Sequence, residues 1–190
     1  MQIDPRTSWI RAHELMTAAV APRPIAFVST VGPDGVFNLA PFSLVTPICM
    51  SPIIVGLSVG RKKDGKKDTL INIEATGEYV INAVTEDLVQ PMNQASGSYP
   101  PEVDEFKEVG LTPVPGERVR APRIAESPIS LECRLMQNLE FGRPPHLNNF
   151  IIGEVVLIHV SAPRSSSWLP LGQNHTGSPS VSFATCSVET

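Results

Sequence analysis

The densest chemistry in this chain lies between residues 60 and 69. Arg61, Lys62, Lys63, Lys66 and Lys67 are five of only fifteen basic residues, and they fall within seven positions. Asp64 and Asp68 offset two of those charges. Thr69 follows where a helix is predicted to start, and the unbonded amides and dipole of a helix start favour an anion. The combination suits a phosphate monoester. A solvated charged loop is the other reading of the same residues. Two well-known patterns overlap this stretch. Gly60 to Lys67 fits G-x-x-x-x-G-K, but Lys67 stands where a P-loop needs the hydroxyl that holds Mg²⁺. Gly56-Leu57-Ser58-Val59-Gly60 fits G-x-S-x-G. A nucleophile elbow turns at once into a helix, whereas charged loop residues follow Gly60. A serine hydrolase using Ser58 is therefore a remote alternative.

The histidines and cysteines offer less. His146 sits behind Pro144 and Pro145, in a predicted loop before a strand, and is the one histidine placed to reach a pocket. A satisfied loop residue is its plainer reading. His13 falls on a helix face, and His159 belongs to an alternating strand pattern. There is no H-E-x-x-H and no carboxylate–histidine cluster, so no metal is expected. Cys49, Cys133 and Cys186 are too sparse for a disulfide framework or a zinc site.

The elements that must position these residues are mostly strands. Residues 8–20 have helical spacing, ended by Ala21-Pro22-Arg23-Pro24. Residues 25–44 read as a hairpin around the turn Gly32-Pro33-Asp34-Gly35. Pro52 to Val59 reads as a buried strand. Asp68 or Thr69 can cap a helix that Gly77 closes. Glu78 to Val84 is a strand, and 85–96 is helical. Residues 97–128 are rich in proline and charge, with a short helix at 102–109, and are read as a surface excursion within one domain spanning 1–190. Ser130 to Phe141 and Phe150 to Ala162 are two more strands, and 163–190 is an irregular tail. About six mostly antiparallel strands with two or three short helices suggest a small β-barrel, which buries strands without exposed edges.

Composition narrows the class further. The 190 residues suit one domain with a real core. Nineteen prolines, scattered along the chain, exclude a helical bundle. A net charge of −4 argues against nucleic-acid binding driven by counterion release. The uncharged run from Val36 to Gly60 contains three prolines and two glycines, so it reads as buried strands and no membrane partner is expected. Met1 to Met16 carries charges and no apolar run, which reads as no signal peptide and a cytoplasmic chain.

Taken in order, several segments resemble the flavin reductase-like family of FMN-binding split-barrel proteins. They are Pro22-Arg23-Pro24-Ile25-Ala26, then Asn38-Leu39-Ala40-Pro41-Phe42-Ser43, then Ser58-Val59-Gly60-Arg61. Lys67-Asp68-Thr69-Leu70-Ile71-Asn72-Ile73, Thr76-Gly77-Glu78-Tyr79-Val80-Ile81-Asn82 and Gly153-Glu154-Val155-Val156 follow. The resemblance covers about Val20 to Val160. It implies a mainly β, six-stranded antiparallel Greek-key split barrel that forms a homodimer, with FMN near the subunit interface. It places Lys67, Asp68 and Thr69 at the FMN phosphate, with Ser58, Gly60 and Arg61 nearby. It places Asn38, Ala40, Pro41, Phe42 and Ser43, with Ser29 and Thr30, along the isoalloxazine and ribityl chain. His146 would lie on the side where a nicotinamide stacks, as a catalytic candidate. NADH or NADPH is the implied electron donor, and the acceptor is flavin, another small molecule or a partner monooxygenase or electron-acceptor protein. An FMN electron carrier without direct nicotinamide use is the alternative. The tail departs from the family's pattern, with Gln173 after Pro170-Leu171-Gly172 and Phe183 where a tyrosine is expected. Trp9 and Trp168 are candidate covers for the flavin.

Overall fold

The computed structural model describes residues 2–62, 65–144 and 146–161, with the backbone of residues 172–173 and 179–180. Its strands in chain order are β1 (Ala26–Val31), β2 (Phe37–Phe42), β3 (Val45–Met50), β4 (Ile53–Gly60), β5 (Glu78–Ala83), β6 (Pro113–Val114), β7 (Arg123–Ile124), β8 (Ile129–Arg143), β9 (His146–Val160), β10 (Gly172–Gln173) and β11 (Pro179–Ser180). Seven of them form one antiparallel sheet in the order β2-β1-β5-β8-β9-β4-β3. The expected six-stranded Greek-key split barrel is thus corrected to a seven-stranded sheet, with β2 and β3 as its edges. The added strand is β3. Its Pro47 argues against a central strand, but an edge strand tolerates proline, and the β3–β4 register shifts between Pro47 and Cys49 to accommodate it.

The sheet curls tightly enough that strands far apart in that order share one core. Val28 of β1, Phe42 of β2, Leu57 and Val59 of β4, Ile81 of β5, Cys133 of β8 and Ile151 of β9 pack together. Leu70 and Ile73 of helix α2 (Asp68–Thr76) close its end. The Ser58 amide donates to the Leu44 carbonyl at 2.9 Å, which extends the β3–β4 pairing by one residue beyond Val45 and Leu57. Gly77 stops α2 at φ 70°, a left-handed conformation that glycine adopts without a Cβ penalty. The N-cap is Lys67, just ahead of the expected Asp68 or Thr69, and no side chain caps the helix. Gly153 has a different reason. A Cβ there would strike the buried Tyr79 hydroxyl, which reaches across the core.

A second layer covers the outer face of β1 and β2. The 3-10 turn Glu86–Leu88 leads into α3 (Val89–Gln94), and α4 (Glu105–Glu108) follows, capped by the Asp104 carboxylate on the Phe106 amide at 3.1 Å. Phe27 and Leu39 pack there against Leu88, Met92, Phe106, Val109, Leu111 and Ile124. Residues 97–128 are therefore a packed layer and more than a surface excursion. Most of their charges face water, Glu105 being buried, while Phe106, Leu111, Ala121 and Ile124 turn inward.

Helix α1 (Trp9–Ala19) buries none of its residues. Strands β8 and β9 run further than expected and meet in a tight hairpin, with Arg143 paired to His146. His146 is thus the first residue of a strand and not a loop residue.

Candidate functional site

The predicted site residues gather around the start of α2 and the edge strand β2. Thr69, the second residue of α2, is buried and donates its hydroxyl to Asn38 Oδ1 at 2.9 Å. Thr30, on β1, donates to the same oxygen at 3.3 Å and accepts from Asn72 Nδ2 at 3.0 Å. Asn38 Nδ2 and the Leu39 amide both donate to one carboxylate oxygen of Glu105, from α4. Burial pushes the Glu105 carboxyl up, and the donors from Leu39 and Asn38 offset part of that. Ser29 donates to the Pro122 carbonyl and accepts from Asn82 Nδ2. Ser29 and Thr30 are thus interior supports of the site, fully bonded behind β2. Phe42 is buried, Ala40 and Pro41 are half-buried, and Ser43 is exposed.

The basic run is largely neutralised within the chain. Arg61 pairs with Glu140 and donates Nε to Asn149 at 3.3 Å. Lys62 pairs with Asp68, and Lys66 with Glu74 at 2.6 Å. Asn149, Asn138 and Glu74 continue in a chain of bonds at 2.8 Å across β9, β8 and α2. Among the described residues, Lys67 is the basic side chain of this loop without a carboxylate partner. It lies over the Phe42 ring, 5.4 Å from the centroid. The first-turn amides of Asp68 and Thr69 lie beyond the reach of any intrahelical acceptor.

Ser58 lies inside β4, paired with Phe150 of β9, and β4 continues to Gly60. No strand-to-helix turn raises its hydroxyl, so the nucleophile elbow is absent. His146 is exposed, and its ring packs on Trp9 at 4.6 Å between centroids. Among the described residues it makes no hydrogen bond or ion pair to β2, β4 or the start of α2. Trp168 lies outside the described residues. Burial pushes both the Cys133 thiol and the Tyr79 hydroxyl up, as befits inert core groups. No cluster of three metal-ligating side chains occurs among the described residues, and no helix there is long and apolar enough to cross a membrane.

Two polar members of the network were missed in the sequence. Asn72 had a signal, because it follows Thr69 by three residues and so shares its helix face. Glu105 had none, standing in a run of charges that otherwise faces water.

The flavin reductase-like domain model matches residues 18–179. The chain therefore belongs to the flavin reductase-like family. It is similar to an uncharacterised protein, BH2278, of Halalkalibacterium halodurans, with 43% identity over 152 residues covering 78% of this chain and 73% of that one. Among solved structures it is similar to nitrilotriacetate monooxygenase component B from Bacillus cereus. That match has TM-score 0.79 and 30% identity, over 85% of this chain and 82% of the other. The 2-nitrobenzoate 2-nitroreductase NbaA of Pseudomonas fluorescens matches at TM-score 0.75 and 27% identity, over 85% and 77%. A split-barrel-domain protein of Shewanella frigidimarina shares the fold at TM-score 0.72, over 93% and 80%.

Proposed function

We propose that this chain is an FMN-binding oxidoreductase that takes electrons from NADH or NADPH and passes them to flavin or another small acceptor. The observation that carries the reading is the start of α2. No side chain caps the Asp68 and Thr69 amides, and beside them Lys67 has an aromatic ring, not a carboxylate, as its partner. That position fits an anion. The Asp68 carboxylate would repel a phosphate, but its pairing with Lys62 cancels that charge.

Edge strand β2 supplies the rest. The Leu39 amide points away from β1 and is taken by Glu105. Pro41 lies on the same side of the strand and has no N–H. What remains toward the open edge is carbonyl oxygen, with exposed Ser43 just beyond. In this reading Lys67, Asp68 and Thr69 hold the phosphate, with Ser58, Gly60 and Arg61 nearby. Asn38, Ala40, Pro41, Phe42 and Ser43 flank the ring and the ribityl chain, and Ser29 and Thr30 hold β2 from behind. A bound flavin accepts hydride at N5 and needs no protein nucleophile. His146 would orient the nicotinamide. A homodimer covers the exposed face of the flavin, and a monooxygenase is a candidate partner, since the B. cereus neighbour is a monooxygenase component. Titration of the purified protein with FMN, followed by anaerobic mixing with each nicotinamide, tests the reading. Saturable FMN binding and bleaching of the flavin by NADH or NADPH support it, and absence of flavin binding overturns it.

A further inference from the structure

Glu105 is a buried carboxylate supplied by a segment most of whose other charged residues are exposed. Its bonded partners are the Asn38 side-chain amide and the Leu39 backbone amide. The charges whose fields reach it are Asp68, which raises its pKa, and Lys62, which lowers it, and those two are paired with each other. A carboxylate in such a place is costly to bury unless its donors matter.

Those donors impose an order on the cluster. An asparagine amide has two hydrogens on nitrogen and an acceptor oxygen. With Nδ2 given to Glu105, Oδ1 of Asn38 must face the opposite way, toward Thr69 and Thr30. Thr30, having given its hydrogen to Asn38, accepts from Asn72. Each donor thus leads toward Asn38 or Glu105. At α2 the consequence is mechanical. Thr69 stands in the first turn, and its hydroxyl fastens that turn to β2.

We propose that Glu105 is a positioning residue for the phosphate end of the flavin site. Through Asn38 it pins Thr69, and with Thr69 the amides that would meet the phosphate. The inference rests on the flavin-binding reading above. Glu105 itself touches neither flavin nor nicotinamide. Two consequences follow. Thr69 recognises the phosphate through its amide, because its hydroxyl hydrogen is already given to Asn38. The 97–128 layer also becomes part of the binding apparatus, because α4 carries Glu105.

The test measures FMN and riboflavin dissociation constants by flavin fluorescence quenching. The proteins are the full chain, Glu105→Ala, Glu105→Gln, Thr69→Val and the Glu105→Ala/Thr69→Val pair, each with its flavin-free melting temperature. Glu105→Ala is expected to weaken FMN about tenfold, the scale of one buried hydrogen bond, and riboflavin less than about twofold. Glu105→Gln keeps an acceptor for Asn38 and Leu39 and restores most of the FMN affinity. Thr69→Val reproduces the selective loss, and the pair loses little more than either alone. Equal losses for both flavins, or losses that only track the melting temperature, overturn the proposal and leave Glu105 a core support. If Glu105→Ala does not fold, Thr69→Val decides, and an unchanged FMN-to-riboflavin ratio in it overturns the proposal. A wild-type chain that binds no flavin overturns the flavin reading itself, whereas FMN preference in the wild type with unmoved ratios in the variants overturns only this inference.

Discussion

At the scale of single residues, Lys67 is the charge on which phosphate recognition turns. Arg61, Lys62 and Lys66 have carboxylates of their own, so their net pull on a dianion is weak. A charge-assisted hydrogen bond contributes ~1.5–3 kcal/mol. Lys67→Ala is therefore expected to weaken FMN by about 10–100-fold while leaving riboflavin nearly unchanged, measured by titrating both flavins. His146 is tested separately because it lies at the β8–β9 hairpin tip with its ring against Trp9. His146→Ala should leave FMN binding and fold intact and slow reduction by NAD(P)H about tenfold, or ~1.4 kcal/mol. Stopped-flow rates equal to wild type from pH 6 to 8 would show that the imidazole only packs on Trp9. Residue-level chemistry was legible where it was local: Lys67, Asp68 and Thr69 follow one another and begin a helix. It was illegible where a partner came from afar, as with Glu105, which meets Asn38 only because α4 folds back onto β2.

Among elements, the 113–121 segment is held down by an unusual device on the outer face of β8. Glu132 is fully buried and accepts from the amides of Glu117 at 2.8 Å, Arg118 at 2.6 Å and Val119 at 3.1 Å, with His159 Nε2 at 2.6 Å. Burial alone would raise its pKa, but these donors outweigh burial and hold the carboxyl below its ordinary value. A folded pKa lowered in this way adds stability above the unfolded carboxylate range, and that stability is lost as pH falls through the lowered value. Glu132→Gln should cost about 2–4 kcal/mol at neutral pH and flatten the acid side of the stability profile, read by urea unfolding between pH 3 and 8. An unchanged profile would mean that the latch contributes nothing. The hairpin β1–β2, helix α2 and strands β4 and β5 were legible from turn chemistry and periodicity. Strand β3 was not, because Pro47 masks an edge strand. The hairpin tip was not either, because Pro144 and the polar residues after it look like a longer loop while the backbone pairs Arg143 with His146.

For the whole molecule, the apolar surface has a consequence for assembly. Trp9 and Met16 of α1, Ile48 and Met50 of β3, and Met136 and Phe141 of β8 are all exposed. Burying such exposed apolar side chains against a second copy is the driving force available for association. A homodimer is expected, and light scattering of the FMN-bound protein should give about twice the 20.5 kDa of one chain. A flavin-loaded monomer would refute it. The overall class was legible because six of the seven sheet strands carry strong β patterns and the scattered prolines exclude long helices. The curl that brings β2 and β4 to one core was beyond reach, since it depends on long-range packing of Phe42 with Leu57 and α2. The most direct test of flavin chemistry here is anaerobic stopped-flow mixing of the FMN-loaded chain with NADH and with NADPH, followed at the flavin absorbance. Bleaching by at least one nicotinamide, at a rate that rises with its concentration, is the predicted result. A chain that holds FMN and stays oxidised with both would contradict the reductase reading.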